Sequence, residues 1–356
     1  MKNYGLEKFA DMHVHLSNLD FLTVESCLDL LCTQGITDIT LQSLTYRAIC
    51  YNLSVLYWKN HYKKANVSAY GMIHNMPNDI YNEIPFEDQA KHLLELGCDG
   101  IKLMFDPNTR KILGHGINDL RYDKMFAYLQ SNNVPLCIHL NDPDYMWEER
   151  ELTEEEIKRN WGYFRQGYLS KQQIYDEMFE VLDKYPNLKI VFSHFFFLSV
   201  DIKQAQSVLD KYPNVCYDLT PNSSMFVDFS KNIDEWREFF IKNQNRIVFG
   251  TDCNDIKVFN AELIYMVKEA LSHDKSEFVM PCYSREVIRG LNLPKQALEN
   301  ICYYNYKRIL PTVKPVNQEK FVKALNRVYQ DCQKTGDKFY QDGAEWAKAC
   351  LDRLNG

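Results

Sequence analysis

The sequence predicts an α/β fold. It reads as a (β/α)8 barrel with a lid insertion after its fifth strand and a helical extension beyond its last helix. Three observations predict this. Eight short apolar runs alternate with segments of helical spacing, and strand–helix alternation builds parallel sheets. Most neighbouring runs start about 26 to 34 residues apart, and one βα unit needs about 30. The first run ends in DMHVHLSNLD, which holds no glycine, so the phosphate-binding turn of a doubly wound open sheet is missing.

The strands read, in order, as EKFADMHVHL near residue 9, ITDITLQSL near 36, VSAYGMIH near 67 and DGIKLMF near 100. VPLCIHL near 134, LKIVFSH near 188, NVCYDLT near 214 and RIVFGTDC near 246 complete the set. The gap between the fifth and sixth is about 54 residues, well beyond one βα unit. Its excess, about residues 141–170, is polar and carries Trp147, Trp161, Tyr163, Phe164 and Tyr168. It follows the C-terminal end of a strand, the active-site face of such a barrel, so it reads as a lid, with a plain surface helix as the alternative. Residues 1–310 form the barrel domain in this reading. Residues 311–356 form the extension, with helical apolar spacing at Phe321, Leu325 and Val328 and at Trp346, Ala349 and Leu351. Those faces would pack on the barrel or on a second copy of the chain, a homo-oligomer.

Composition narrows the function class. The 356 residues are 46% hydrophobic and 25% charged, with a net charge of −7 and no basic run, which argues against a nucleic-acid binder. No stretch approaches 18 apolar residues, so no membrane span is expected, and the first residues carry no apolar signal core. The eleven cysteines are scattered without a CxxC pair, which reads as reduced thiols in a cytoplasmic protein. A small-molecule enzyme fits these bounds.

The chemistry-bearing residues fall at strand ends. Side chains alternate faces along a strand. On that rule Ala10, Met12, Val14 and Leu16 of the first strand point outward to the helices, and Phe9, Asp11, His13 and His15 point inward. Two imidazoles two residues apart on one strand face can close on one metal ion. The same parity turns Cys137 and His139 inward on strand 5. His194 ends strand 6, Asp252 ends strand 8, and Lys102 lies inward on strand 4. A closed barrel sets strands 1 and 8 side by side, which brings Asp252 to His13 and His15. Asp11 would support a ligand histidine or serve as a buried hydrogen-bonder. His74 ends strand 3 and is expected at the pocket mouth, and His115 is a weaker candidate for the same face. Tyr217 and Asp218 read as packing and hydrogen-bonding residues.

The set DMHVHL, IHLND, FSHF and FGTD resembles the amidohydrolase superfamily. It is most similar to the branch of TIM-barrel metal-dependent hydrolases and aminocarboxymuconate-semialdehyde decarboxylase-like enzymes. YPNLKIVFSHF, LDKYPNVCYDLTP and LENICYYNYKRIL share the likeness, which runs from about Phe9 to Leu310. The resemblance implies one divalent metal, zinc first and manganese or iron as alternatives, held by His13, His15, His139 and Asp252. It implies that His194 sits over the metal's water and that Asp252 moves protons. It implies that Lys102 is a positive charge in the site, or a carboxylated bridge in members with two metals. Two departures stand out. Small residues are usual after the strand-6 histidine, where this chain has Phe195, Phe196 and Phe197. Cys253 and Asn254 follow Asp252, where an aromatic and a proline are commoner. Phe195 is therefore expected as an aromatic wall of the pocket, with Trp147 of the insertion, His74 and Lys102 as further substrate contacts.

The expected activity is hydrolysis of a small-molecule amide, lactone or ester. Non-oxidative decarboxylation of an unsaturated or aromatic acid is the alternative, with Lys102, Arg47 or Arg165 anchoring the carboxylate. A catalytically silent ligand-binding barrel is the third reading.

Overall fold

In a computed structural model of the chain, the structure describes residues 6, 8–16, 19–44, 50–222, 224–255, 259–282 and 285–355. The strands are β1 (Phe9–Leu16), β2 (Ile36–Ser43), β3 (Asn66–Met72), β4 (Gly100–Phe105), β5 (Leu136–Leu140), β6 (Ile190–Phe192), β7 (Val215–Asp218), β8 (Ile247–Val248) and β9 (Cys253–Asn254). They form one parallel sheet in the order β8-β7-β6-β5-β4-β3-β2-β1-β9. The two edges of that sheet belong to one stretch of chain. β8 pairs with β7, and after four intervening residues β9 pairs with β1. Between them the Met12 N–H donates to Phe249 O and the Asp252 N–H donates to His13 O, each at 3.0 Å. The sheet thus curls into a barrel closed by a divided eighth strand, as the strand spacing predicts.

The register of β1 against β2 shifts twice, between Phe9 and Ala10 and again between Asp11 and Val14, and the second shift changes which side chains of β1 face inward. A bulge of this kind adds a residue and reverses which face the following side chains take. Ala10 and Met12 therefore point inward, not outward. They join Tyr70, Cys137, Val191 and Val248 in an apolar floor, where Tyr306, Ile309 and Leu310 of the closing helix also pack. Above the bulge, His13 and His15 also point inward, while Val14 and Leu16 join the outer core. Phe9 and Asp11, expected inside, lie outside. Phe9 packs on Phe249 and Lys268. Asp11 accepts from Thr251 Oγ1 at 2.5 Å and from the amides of His13 and Thr251, so it pins the bulge to the last strand. Gln42 Nε2 donates to Met12 O at 2.8 Å, satisfying a carbonyl beside the shift.

The insertion after β5 holds a short turn at Asp144–Trp147 and a one-turn helix, Glu154–Lys158, opened by a Thr153/Glu156 capping box. Helices Gln318–Gln333 and Lys338–Asn355 pack on each other and on helices Cys50–His61 and Phe86–Leu96. All eleven cysteines are free thiols, and no described helix is long and apolar enough to cross a membrane.

Candidate metal centre

The carboxyl ends of β1, β4, β5, β6, β7 and the divided eighth strand bring one group of polar side chains together. His13 Nε2 and His15 Nε2 face each other at 2.8 Å, with rings nearly perpendicular. Asp252 Oδ1 lies 3.4 Å from His15 Nε2. One atom from each of these three residues lies within 4.8 Å of the others, close enough to share an ion. Asp252 has φ +56°, a left-handed conformation that non-glycine residues seldom adopt. A Cβ at Gly250 would lie 3.2 Å from His13 Cβ and 3.0 Å from Thr220 Cγ2, so glycine here spares the ligand strand a small shift.

The partners of the two imidazoles test whether a metal fits. His13 Nδ1 meets Asp218 Oδ2 at 2.7 Å, and His15 Nδ1 meets Gln42 O at 3.1 Å. A carbonyl only accepts, and so does a carboxylate, so both Nδ1 atoms carry the proton. In neutral rings the two Nε2 lone pairs then face each other, with Lys102 Nζ 3.1 Å from that of His13. Burial, helped by the positive charge of Lys102, holds His13 well below the usual histidine range, so it does not relieve the conflict by protonation. A cation against these nitrogens does relieve it. A carboxylate or carbonyl behind each ligand ring is the outer support that metal-binding histidines ordinarily show. The donor set fits a divalent ion.

Lys102 stands beside this pair, fully buried, with Nζ 3.1 Å from His13 Nε2 and 3.1 Å from Ser193 Oγ. It makes no ion pair with a carboxylate among the described residues. His194 lies across the site, its ring centroid 4.8 Å from that of His139 and 5.9 Å from that of His13. Burial and the neighbouring His139 push its pKa down to about 3. His194 Nδ1 meets Thr220 O at 3.1 Å, and its amide donates to Asp218 Oδ1 at 2.8 Å. Asp218, whose own pKa burial raises, therefore holds both His13 and the backbone of His194. Strand parity with the inward Cys216 was the available signal for a larger role than packing.

His139 stands apart from the group of three. Its Nε2 lies 3.6 Å from Asp142 Oδ1, and its ring packs on His194 and Phe197. Asp142 in turn accepts from Tyr163 Oη at 2.5 Å. Neither Asp142 nor Tyr163 announces itself by spacing, because an irregular insertion has no period to read.

Three expected substrate contacts need correction. Phe195 is not a pocket wall. It is fully buried on the helical side, against Tyr217, Phe229, Trp236, Phe239 and Phe240. The chain from His194 to Phe197 takes four consecutive left-handed residues, φ +53° to +58°, which turn Phe195 away and bring Phe197 to within 5.2 Å of His139 and 5.1 Å of His194. His74 does not face the centre. It bonds Asp79 and Asn52 and lines a separate cavity of about 570 Å³ between helices Cys50–His61, Phe86–Leu96 and Gln318–Gln333. Trp147 packs edge-to-face with Tyr163 and donates to Leu169 O at 2.9 Å, so it braces the insertion. Arg165 donates to Gly162 O and Trp161 O within its own loop. His115 packs against Phe105 and Tyr122. Arg47 lies outside the described residues.

A parallel barrel with histidines, a carboxylate and a buried lysine gathered at its carboxyl ends defines a (β/α)8-barrel enzyme. The sequence profile of the amidohydrolase family matches residues 75–311, most of the 356-residue chain, and the chain belongs to that family. The matched segment holds Lys102, His139, His194, Asp218 and Asp252, while His13 and His15 lie before it. No protein of curated function matches the chain. Solved structures share its fold. An amidohydrolase II is 14% identical with a TM-score of 0.53, over 85% of this chain and 100% of that one. A 4-oxalomesaconate hydratase from Rhodopseudomonas palustris is 12% identical with a TM-score of 0.52, over 90% and 99%. An uncharacterized TIM-barrel protein from Bordetella bronchiseptica is 14% identical with a TM-score of 0.51, over 85% and 98%.

Proposed function

We propose that the chain is a metal-dependent hydrolase of a small-molecule amide, lactone or ester. The observation that carries this is the pair of Nε2 atoms at 2.8 Å, each with its Nδ1 held by an acceptor and with Asp252 alongside. His13, His15 and Asp252 would hold the ion, and His139 would complete the set as the family resemblance implies. Zinc suits imidazole and carboxylate donors best, with manganese or iron as alternatives. Such an ion lowers the pKa of water toward about 7 and polarises a carbonyl. Asp252, beside His15 and partly exposed, takes the proton from the attacking water and hands it to the leaving group. His194 is held uncharged by its burial, so it orients the water or the substrate oxygen by hydrogen bonding. Lys102 supplies a positive charge beside His13 Nε2, and Phe197 forms the aromatic wall beside His139 and His194. The free thiols fit a cytoplasmic enzyme.

One observation favours a second reading. A buried lysine with no carboxylate ion-pair partner among the described residues suits a substrate that brings its own carboxylate, as a non-oxidative decarboxylase would require. Metal content and product analysis test both. The purified chain should carry about one divalent ion, and His13→Ala should lose it; full occupancy in that variant overturns the site. Release of an acid or amine from a substrate panel supports hydrolysis, and release of CO2 supports decarboxylation.

A further inference from the structure

Two chains of contacts run from the insertion into the centre. In the first, Tyr163 Oη donates to Asp142 Oδ2 at 2.5 Å, and Asp142 Oδ1 stands 3.6 Å from His139 Nε2. Tyr163 is itself gripped. Its amide donates to Met146 O, and its ring lies between Trp147 and Tyr168. In the second, Lys171, at the exit of the insertion, donates from Nζ to Asp144 Oδ2 at 2.5 Å and to Phe197 O at 2.8 Å. Tyr175 Oη donates to Phe196 O and Phe197 O at 2.8 and 3.2 Å. Those carbonyls belong to the left-handed turn that begins at His194. Left-handed backbone is strained for a residue with a Cβ, so four in a row persist only where outside groups hold them.

We propose that the insertion is a built part of the active site. Tyr163 positions His139 through Asp142, and Lys171 positions His194 through the carbonyl of Phe197. The proposal rests on the reading of this centre as the site of a metal-dependent enzyme, but its first readout does not need the metal. Neither Tyr163 nor Lys171 touches a reacting atom. Their effect is on where two rings point.

The test uses the full chain and four variants. Tyr163→Phe keeps the ring and removes only the hydroxyl. Lys171→Met removes the donor over Phe197 O, and Lys171→Arg restores one. Arg159→Ala, which breaks an exposed ion pair with Glu155 in the same insertion, is the control. Ring-nitrogen NMR signals of His139 and His194 are recorded in zinc-free protein, and zinc affinity is then measured by chelator competition. Tyr163→Phe should move the His139 signals and weaken zinc about 10-fold. Lys171→Met should move the His194 signals, and Lys171→Arg should return them toward the parent. Arg159→Ala should leave both sets in place. Unmoved His139 and His194 signals in the folded Tyr163→Phe and Lys171→Met variants overturn the proposal. Parent protein that binds no zinc overturns the metal reading instead, and the ring signals still decide the proposal.

Discussion

The floor and the rim of this barrel are built on the same strands and differ in every other respect. The floor is apolar and filled, with Ala10, Met12, Tyr70, Cys137, Val191 and Val248 closed from below by Tyr306. The rim, one to three residues further along β1, carries His13 and His15 and meets Lys102, His194, Asp218 and Asp252. The change happens at the bulge between Asp11 and Val14, without which one face of β1 would have to be both floor and ligand set. One extra residue lets a single strand serve packing below and chemistry above.

That contrast can be broken by exchange of losses. His13→Ala should cost activity about 10³-fold or more and remove the metal, while the fold persists. Met12→Ala should do the converse, with stability falling by about 2–5 kcal/mol in urea unfolding and metal content unchanged. Metal lost from Met12→Ala, or unfolding of His13→Ala, would erase the division between floor and rim. Asp218→Asn, which removes the charge behind His13 but keeps an acceptor, should weaken metal binding about 10- to 100-fold at nearly constant Tm. The two phenylalanines sharpen the comparison. Phe195→Leu should lower stability by about 1–2 kcal/mol with KM unchanged, and Phe197→Leu should change KM several-fold with Tm nearly constant.

The smallest effect concerns the outer face of β1. Burial pushes the pKa of Lys268, whose ammonium sits over Phe9, down to about 8 from 10.5. Between pH 8 and 10.5 the unfolded chain holds the proton that the folded chain has released, so this group's contribution to stability rises with pH. Below pH 8 its buried charge is a cost. Lys268→Met should therefore be more stable than the parent at pH 7, and the gap in Tm should close as pH rises through that window.

Much of this was legible because barrels are periodic. Eight apolar runs at regular spacing fixed the order of the strands, and inward parity on strands 4 and 5 placed Lys102 and Cys137 as found. Parity failed on the lower half of β1. A bulge leaves the hydrophobic alternation of the sequence unchanged, so Ala10, Met12 and Asp11 were assigned to the wrong faces while His13 and His15, beyond the bulge, were not. Phe195 was misplaced for a similar reason. Counting positions after His194 assumes an ordinary backbone, and a left-handed turn rotates each side chain to another neighbour. Asp142 and Tyr163 reach the site through tertiary contacts inside an irregular segment, where no spacing rule applies. Asp218 was read only as a packing and hydrogen-bonding residue, because its partner His13 lies 205 residues away, and only the closed barrel pairs them.

The divided eighth strand has a consequence for how the molecule holds together. The joint between the first strand and the last rests on short pairings around residues 249–254, a sparse seam in the wall. His13 and His15 stand on one side of that seam and Asp252 on the other. An ion bound by all three would act as a clasp between the two ends of the barrel. Removing it should then loosen the protein first along this line, with the amides of Met12 and Asp252 exchanging with solvent earlier than those between β4 and β5.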